Sequence, residues 1–428
     1  MPNNLRQSLS ILIVVPGAAL MVAAAIPTPT HQDAVTTADA VPFVDIVPLP
    51  SPAAAGAMAP HLSASPDGRV YLSWLEPAGD AGWRFRVAER QAGAWDVRAD
   101  VAQGTSFFAN WADVPSVFAA KDGRLAAHWL EKMGASTYAY GIRVRSSSDA
   151  GKTWSAAVIP HRDQSPTEHG FLSFFDAPGG GIGMVWLDGR ETAASPRESG
   201  HGHGGGAMTL RATTLTAEGD FGADVLVDDR VCDCCPTAAV ATANGVLAAY
   251  RDRSATEIRD IGLARLEGGR WQRLGAVHPD GWEIPGCPVN GPALAAGGDT
   301  VVVAWFTAAG DQGRANVVFS RDRGATFGTP ARIDDGSPLG RVDVELLPDG
   351  SAIVVWIESS KGQAAVRARR VFLDGRRGPA TTLADVGNDR SSGHPRVVRS
   401  GRELIFAWRT AAPHNLVTAV AQIPPDLQ

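Results

Sequence analysis

A pair of short apolar strands joined by a glycine-containing turn recurs along the chain, and the second strand ends near an aromatic residue. Seven copies lie between residues 59 and 410, and their aromatic residues are spaced by 55, 57, 64, 55, 51 and 52 positions. These residues are Trp74, Trp129, Trp186, Tyr250, Trp305, Trp356 and Trp408. Strand–turn–strand content at such a period is typical of a β-propeller. We expect the rings to pack in the core between blades.

Two further strand-like segments follow each pair, so the sequence predicts an all-β fold with four-stranded blades. Seven blades are counted, and residues 41–428 form the predicted propeller. The last unit stops after its third strand (NLVTAVAQI), whereas an orphan strand (PFVDIVPL, 42–49) precedes the first unit. We therefore expect the N-terminal strand to complete the last blade and close the ring, which leaves no exposed sheet edge.

The N-terminal segment has the layout of a secretory signal peptide. A single cation, Arg6, precedes an apolar run from Leu9 to Ile26 that ends in small residues. We predict a signal peptide at 1–26, a linker at 27–40, and an exported protein, periplasmic or secreted, with no membrane span after cleavage. The alternative is an uncleaved membrane anchor. The formal net charge of −6 argues against nucleic acid as a partner.

Two turns between the third and fourth strands carry the pattern S-x-D-x-G-x-T-[W/F]. One contains Asp149, Gly151 and Trp154, and the other contains Asp322, Gly324 and Phe327. The carboxylate is suited to accept hydrogen bonds from turn amides, and glycine permits positive φ. On these motifs the chain resembles the sialidase-like propellers with Asp-box (BNR) repeats. Members of that family usually have six blades, which is the alternative to our count of seven.

The resemblance also implies a candidate activity, that of an exo-α-sialidase-type glycoside hydrolase. Such enzymes use a tyrosine nucleophile assisted by a glutamate, with arginines on the substrate carboxylate. Here Tyr250 and Glu257 would form the catalytic pair, and Arg251 or Arg253 would bind the carboxylate. The F/Y-R-I-P motif that usually supplies the first arginine of the family is not found in this sequence. Whether the chain is an enzyme stays open at this point.

The predicted strand order brings a set of reactive residues to one face of the ring. Loops between blades and loops between second and third strands emerge there, whereas the Asp-box turns lie on the opposite face. The loops between blades carry Cys232, Cys234, Cys235 and Cys287. A loop between a second and a third strand carries His201 and His203, with Met208 just after. These loops belong to neighbouring blades. This convergence is the main functional indication in the sequence.

Three roles are open for the cysteines. In an oxidising compartment they are expected to form disulfides. Thiolates would instead bind copper or zinc, with the histidines or Met208 as further ligands. A redox-active pair is the third alternative. The C-x-C-C spacing is not a standard zinc-finger spacing, and two adjacent cysteines are expected to bind one tetrahedral ion only with backbone strain.

Charged residues crowd the same face and predict a ligand site. A concave surface with several arginines suits a carbohydrate or another anionic molecule, or a partner protein; alternatively the charges form a salt-linked rim. The candidate ligand-binding residues are Arg251, Asp252, Arg253, Arg259, Asp260, Asn290 and Arg341. Residues at strand ends are expected to line the mouth of the central channel, namely His61, His169, His394, Glu76, Glu131, Asp188 and Arg190.

Overall fold

The computed structural model describes residues 42–80, 82–193, 206–360 and 362–424. The predicted signal peptide and linker lie outside these residues. Within them the chain forms seven antiparallel sheets and three short 3-10 helices, at Arg190–Thr192, Ala309–Asp311 and Arg390–Ser392. No helix in this described part is long and apolar enough to cross a membrane.

The strands follow the chain in blade order, apart from the first. Strand β1 (Val44–Leu49) belongs to the last blade. Blade 1 contains β2 (Met58–Ala64), β3 (Val70–Ala78), β4 (Gly82–Gln91), β5 (Ala94–Val97) and β6 (Ala102–Gly104), of which β6 also pairs with β4. Blade 2 contains β7 (Ser116–Ala119), β8 (Leu125–Lys132) and β9 (Tyr140–Ser147), and its fourth strand is reduced to a bridge between Val144 and Val158.

The remaining blades each have four strands. Blade 3 contains β10 (His169–Asp176), β11 (Ile182–Asp188), β12 (Met208–Leu215) and β13 (Val225–Val231). Blade 4 contains β14 (Ala238–Thr242), β15 (Gly245–Arg251), β16 (Ile261–Glu267) and β17 (Arg270–Ala276). Blade 5 contains β18 (Ala293–Gly297), β19 (Thr300–Thr307), β20 (Arg314–Ser320) and β21 (Ala331–Arg332).

The last two blades complete the ring. Blade 6 contains β22 (Pro338–Leu346), β23 (Ala352–Ser360), β24 (Gln363–Val371) and β25 (Thr381–Val386). Blade 7 contains β26 (Arg396–Ser400), β27 (Glu403–Arg409) and β28 (Leu416–Gln422), with β1 as its outer strand. Seven blades, and not six, are therefore confirmed.

The N-terminal strand closes the ring as the sequence predicts. Strand β1 pairs antiparallel with β28, with Leu49 opposite Thr418. Next to it, the buried ring of Phe43 lies 5.2 Å from that of Phe406 on β27. The last blade thus combines the two ends of the described chain, and the closure is held by both backbone pairing and apolar packing.

The hydrophobic core is divided into clusters that lie between neighbouring blades. Each of the seven junctions has its own cluster of buried side chains. The repeated aromatic residues belong to these clusters, which confirms their predicted packing role. Trp74, Trp186, Trp305 and Trp356 are fully buried. Core burial of such large rings contributes more free energy per residue than that of any other side chain.

A polar bond accompanies most of these rings. The indole N–H of a blade tryptophan donates to the carboxylate two residues further along the strand, over 2.8–2.9 Å. The acceptors are Glu76, Glu131, Asp188 and Glu358. A buried indole needs such an acceptor, since an unpaired N–H is costly. The pattern W-x-[D/E] therefore serves the fold.

The Asp-box turns form as their sequences predict. Asp149 accepts bonds from the backbone N–H and the hydroxyl of Thr153, at 2.9 and 2.7 Å, and Asp322 does the same with Thr326. Gly151 and Gly324 both have φ of +79°. These hydrogen bonds, that of the Thr153 hydroxyl foremost, lower the pKa of Asp149 to about 2. The two turns are local stabilising devices.

Ring closure is testable through Phe43. The variant Phe43→Ala removes the aromatic contact with Phe406, and we expect the free energy of unfolding to fall by about 3–5 kcal/mol. Chemical denaturation measures this change. The matched control is Val47→Ala on β1, whose side chain is 50% exposed and whose loss should cost less than about 1 kcal/mol. Equal effects of the two substitutions would contradict the closure described here.

Candidate functional site

The loops that carry the cysteines and the charged residues meet on one face of the ring. The backbone N–H of Cys232 donates to the carbonyl of Arg251 over 2.9 Å, and the Arg251 guanidinium reaches the carbonyl of Asn290. The Asp-box turn of blade 5 lies among turns of the other face, since Arg323 binds Asp299 and Asn244. The predicted sorting of loops by face is therefore observed.

Three thiols come together at the entry to blade 4. One Sγ from each of Cys232, Cys234 and Cys235 lies within 4.8 Å of the others, and the Sγ atoms of Cys232 and Cys235 are 3.4 Å apart. Cys232 and Cys235 are buried, and Cys234 is half-buried. All four cysteines of the chain are described, and none of them forms a disulfide. The adjacent residues Cys234 and Cys235 thus point to one place, despite the strain expected from their spacing.

The fourth cysteine lies beside this group. Cys287 is exposed, and its thiol interacts with that of Cys234, which together with the other two thiols raises the pKa of Cys234. Met208 is buried in the same apolar cluster against which Cys234 packs. The histidines His201 and His203, predicted as further ligands, lie outside the described residues.

A guanidinium group sets the electrostatics of the thiols. Arg259 Nη1 donates to Cys232 Sγ over 3.3 Å. Burial by itself would raise the pKa of Cys232, but hydrogen bonds from Cys234 and Cys235 and the charge of Arg259 outweigh it and hold this pKa well below its usual value. The group is therefore poised to carry a thiolate.

Several predicted ligand-binding residues are engaged in holding loops together. The guanidinium of Arg251 is buried and donates to the carbonyls of Asn290, Arg259 and Phe306, at 2.6–2.9 Å. Asp260 accepts the backbone N–H groups of Gly281 and Trp282. Both side chains are buried in this arrangement.

Asn290 and Arg341 play a similar part between blades 5, 6 and 7. The side chain of Asn290 accepts the backbone N–H of Arg341 over 2.7 Å. Arg341 donates to the carbonyls of Asp389 and Gly393 and lies 4.9 Å above the ring of Trp111. Burial lowers the pKa of Arg341 to about 10.

The charged residues next to the thiols form an ion-pair network. Arg253 binds Glu257 through two nitrogens, with a shortest distance of 2.7 Å, and Asp233 at 3.3 Å. Arg259 binds the other oxygen of Glu257, also at 2.7 Å. Asp252 accepts a hydrogen bond from the backbone N–H of Arg253, and burial raises the pKa of Asp252. The network orients Arg259 toward Cys232.

The two residues of the predicted catalytic pair each bind other groups. The hydroxyl of Tyr250 donates to Asp228 over 2.6 Å inside the core between blades 3 and 4. Burial and the charge of this carboxylate raise the pKa of Tyr250. Glu257 is occupied by Arg253 and Arg259 instead. No hydrogen bond between Tyr250 and Glu257 is found in the described chain, and the catalytic role of the pair stays a prediction.

A second polar group was not found by sequence reasoning. The buried hydroxyl of Tyr140 lies 2.5 Å from Glu168 and 3.3 Å from Asp113, and Asp113 also accepts the backbone N–H of Phe171. Burial, only partly offset by these hydrogen bonds, raises the pKa of Asp113 to about 7. No spacing in the sequence links these residues, since they lie on the loops entering blades 2 and 3 and at the start of β9.

The residues predicted to line the channel mouth divide into two groups. Only His61 and His394 line the central cavity. The strand-end carboxylates bind tryptophan N–H groups instead, as described above. Asp188 also forms a bidentate pair with Arg190, and His169 is buried, with Nε2 3.0 Å from Asp163. Their structural bonds place these groups off the channel wall.

Comparison with known proteins supports the fold and goes no further. No protein-family model and no curated protein sequence matches the chain. A protein of unknown function from Dyadobacter fermentans is 15% identical, with 89% of this chain and 99% of that chain covered and a TM-score of 0.51. A Hadza microbial sialidase is 13% identical, with 82% and 76% covered and a TM-score of 0.51. The fold is that of a sialidase-like β-propeller.

The pKa of Asp113 predicts a pH dependence of stability in this propeller. Its folded pKa of about 7 lies above the usual 3.8, so the folded state binds the proton more tightly. The contribution of Asp113 to the free energy of unfolding should therefore be largest below about pH 4 and fall by about 2–4 kcal/mol as the pH rises to 7. Denaturation curves of wild type and Asp113→Asn across this range measure the effect, which the variant should lack.

The control for this measurement is Asp122→Asn on the same blade. The Asp122 side chain is 40% exposed, and hydrogen bonds from Arg124 keep its pKa below the usual value. This variant should therefore retain the wild-type pH dependence between 4 and 7. A wild-type slope in Asp113→Asn would contradict the assignment.

Proposed function

We propose that this protein is an exported metal-binding propeller that holds a copper(I) or zinc ion on the thiolates of Cys232, Cys234 and Cys235. The observation that carries the proposal is the convergence of three Sγ atoms within 4.8 Å of one another. Soft thiolate ligands select these two metals among those common in biology. The rigid ring supplies the scaffold, and neighbouring loops supply the ligands.

The spacing of the sulfur atoms fits the geometry of such an ion. A Zn–S bond of about 2.3 Å places two tetrahedral thiolates about 3.8 Å apart. The observed 3.4 Å between the Sγ atoms of Cys232 and Cys235 is close to that separation. Cys287, next to Cys234 and exposed, is suited to be a fourth ligand for zinc, whereas copper(I) is satisfied by three thiolates.

The charge around the thiols also favours the ion. Three thiolates with one monovalent or divalent cation leave a net negative charge in a buried place, which is unfavourable without a counter-charge. Arg259, in hydrogen-bond contact with Cys232, supplies it. Glu257 and Asp233 in turn hold Arg259 and Arg253 in position. Outer groups of this kind tune metal affinity in proteins.

Substitution of the buried thiols tests the proposal. Protein loaded under reducing conditions with zinc, or separately with copper(I), should retain one ion per chain after desalting, as measured by elemental analysis. Cys232→Ser and Cys235→Ser should each weaken binding by more than about 100-fold, because loss of an outer group alone costs about 10–100-fold. Arg259→Gln should weaken it within that smaller range.

Controls separate metal binding from the disulfide alternative. Cys287→Ser, at the exposed position, should keep an ion bound and lower its affinity less than the buried substitutions do. Titration of free thiols in the protein isolated from its own compartment gives the redox state. The metal site would be refuted if the isolated protein has neither titratable thiols nor bound metal and still binds no metal after reduction.

The sialidase-like fold supports a second candidate, a carbohydrate or other anionic ligand on the same face. The specific observation in its favour is the network of Arg253, Arg259 and Glu257, whose glutamate side chain is 28% exposed at the surface beside the thiols. Similar solved structures include a sialidase, at 13% identity.

Tyr250 is expected to act in folding. Tyr250→Phe leaves the carboxylate of Asp228 without its hydroxyl donor, so the free energy of unfolding should fall by about 1–3 kcal/mol. Any hydrolysis of a fluorogenic sialoside should be the same in wild type and variant. Loss of turnover with unchanged stability would instead support the catalytic role of Tyr250. Glu257→Gln, assayed in parallel, tests the second member of the pair.

A further inference from the structure

The central channel contains a cavity of about 290 Å³. All seven innermost strands or the loops that precede them contribute to its wall. Its charged lining residues are Asp113, Asp343 and Arg396, and its lining histidines are His61 and His394. A cavity of this size lies at the lower end of the range for small-molecule sites.

Arg396, the cavity's one lining cation in the described chain, differs from the arginines on the rim. Its Nε is buried without a hydrogen-bond partner among the described residues. The opposite charge acting on it is that of Asp343 on the neighbouring blade, and burial lowers the pKa of the guanidinium. A buried guanidinium that protein carbonyls or carboxylates do not saturate is costly, and a bound acceptor removes that cost.

Asp343 is held differently. Its carboxylate accepts the backbone N–H groups of Val344 and Val397, both at 3.0 Å, so the protein fixes its position while leaving further lone pairs. Its charge and that of Arg396 act on each other, but in the described chain they do not come within the 4.0 Å of an ion pair. The cavity therefore presents one positive and one negative group side by side.

The two histidines add uncharged polar groups to the same wall. His61 Nδ1 and His394 Nε2 are buried and have no hydrogen-bond partner in the described part of the chain. Burial and the nearby Arg396 lower both pKa values well below 6.5, so both rings are neutral at physiological pH. A neutral imidazole offers one donor and one acceptor. His61, His394 and Arg396 thus line one cavity and each has a polar atom without a partner in the described chain.

We propose that this cavity binds a small zwitterionic solute of the α-amino acid class, with its carboxylate on Arg396 and its ammonium group on Asp343. The site is separate from the proposed metal centre and does not depend on it. A zwitterion supplies an acceptor to the guanidinium and a donor to the carboxylate in one molecule. Polar groups of its side chain then have His61 and His394 as partners.

Charge balance favours a zwitterion over a simple ion. A bound anion would pair with Arg396 but would add to the negative charge of Asp343 in a confined space. A bound cation would pair with Asp343 and leave Arg396 without an acceptor. A molecule with both charges satisfies each group without changing the net charge of the cavity, which keeps the cost of burial low.

Calorimetric titration of the full folded protein tests this assignment. The probes are L-alanine and L-glutamine as zwitterions, acetate as the anion alone and ethylammonium as the cation alone. We expect a zwitterion to bind and the two simple ions to bind at least about tenfold more weakly. Arg396→Met and Asp343→Asn should each reduce the affinity for the zwitterion by about 10–100-fold, as loss of a charge-assisted hydrogen bond does.

Arg399→Met is the matched control. Arg399 lies on the same strand β26 but binds the carbonyl of Leu346 outside the cavity, so its loss should leave the affinity unchanged. Thermal unfolding of each variant identifies any that fails to fold, and Arg396→Gln then replaces Arg396→Met. The proposal is overturned if acetate binds with the same affinity as the zwitterions and Asp343→Asn has no effect. It is also overturned if neither amino acid binds at millimolar concentration.

Discussion

The packing of aromatic side chains between neighbouring blades is the interaction on which the rest of this structure depends. Blades of a propeller contact each other only face to face, so each junction must bury enough apolar surface to hold its two sheets together. The tryptophans do this, and the N–H groups of four of them bind carboxylates two residues further on the same strand. Strand β1 completes the last blade of the ring by pairing with β28.

Because the fold uses these charged groups, fewer of them can bind a ligand at the rim than the composition of the loops indicates. Carboxylates at strand ends are acceptors for indoles, and Arg251 and Arg341 bind carbonyls of adjoining loops. Loops between blades lack regular pairing, and their carbonyls need donors when buried. Arginine suits this task because its planar group offers five donors. The same residue types would bind an anionic ligand elsewhere, so residue type alone does not distinguish the two roles.

Polar groups at two places serve no such purpose. At the entry to blade 4 three thiols meet beside Arg259, and in the channel the side chains of Arg396, His61 and His394 present buried atoms without partners in the described chain. The thiols form a soft, negative site, whereas the channel presents both charges with neutral rings. Their chemistries predict different ligands, and we therefore propose a separate binding function for each place.

The sequence by itself determined the propeller, its seven blades, the closing strand and the face that carries the cysteines, because strand periodicity, glycine turns and aromatic spacing are local signals that repeat. It also placed Cys232, Cys234, Cys235 and Cys287 on neighbouring loops. Only the tertiary structure decided which atoms meet. Tyr250 binds Asp228 and not Glu257, and Tyr140 joins Glu168 and Asp113 across two blades. Such pairings depend on side-chain direction and burial across blade junctions, which no spacing along one chain encodes.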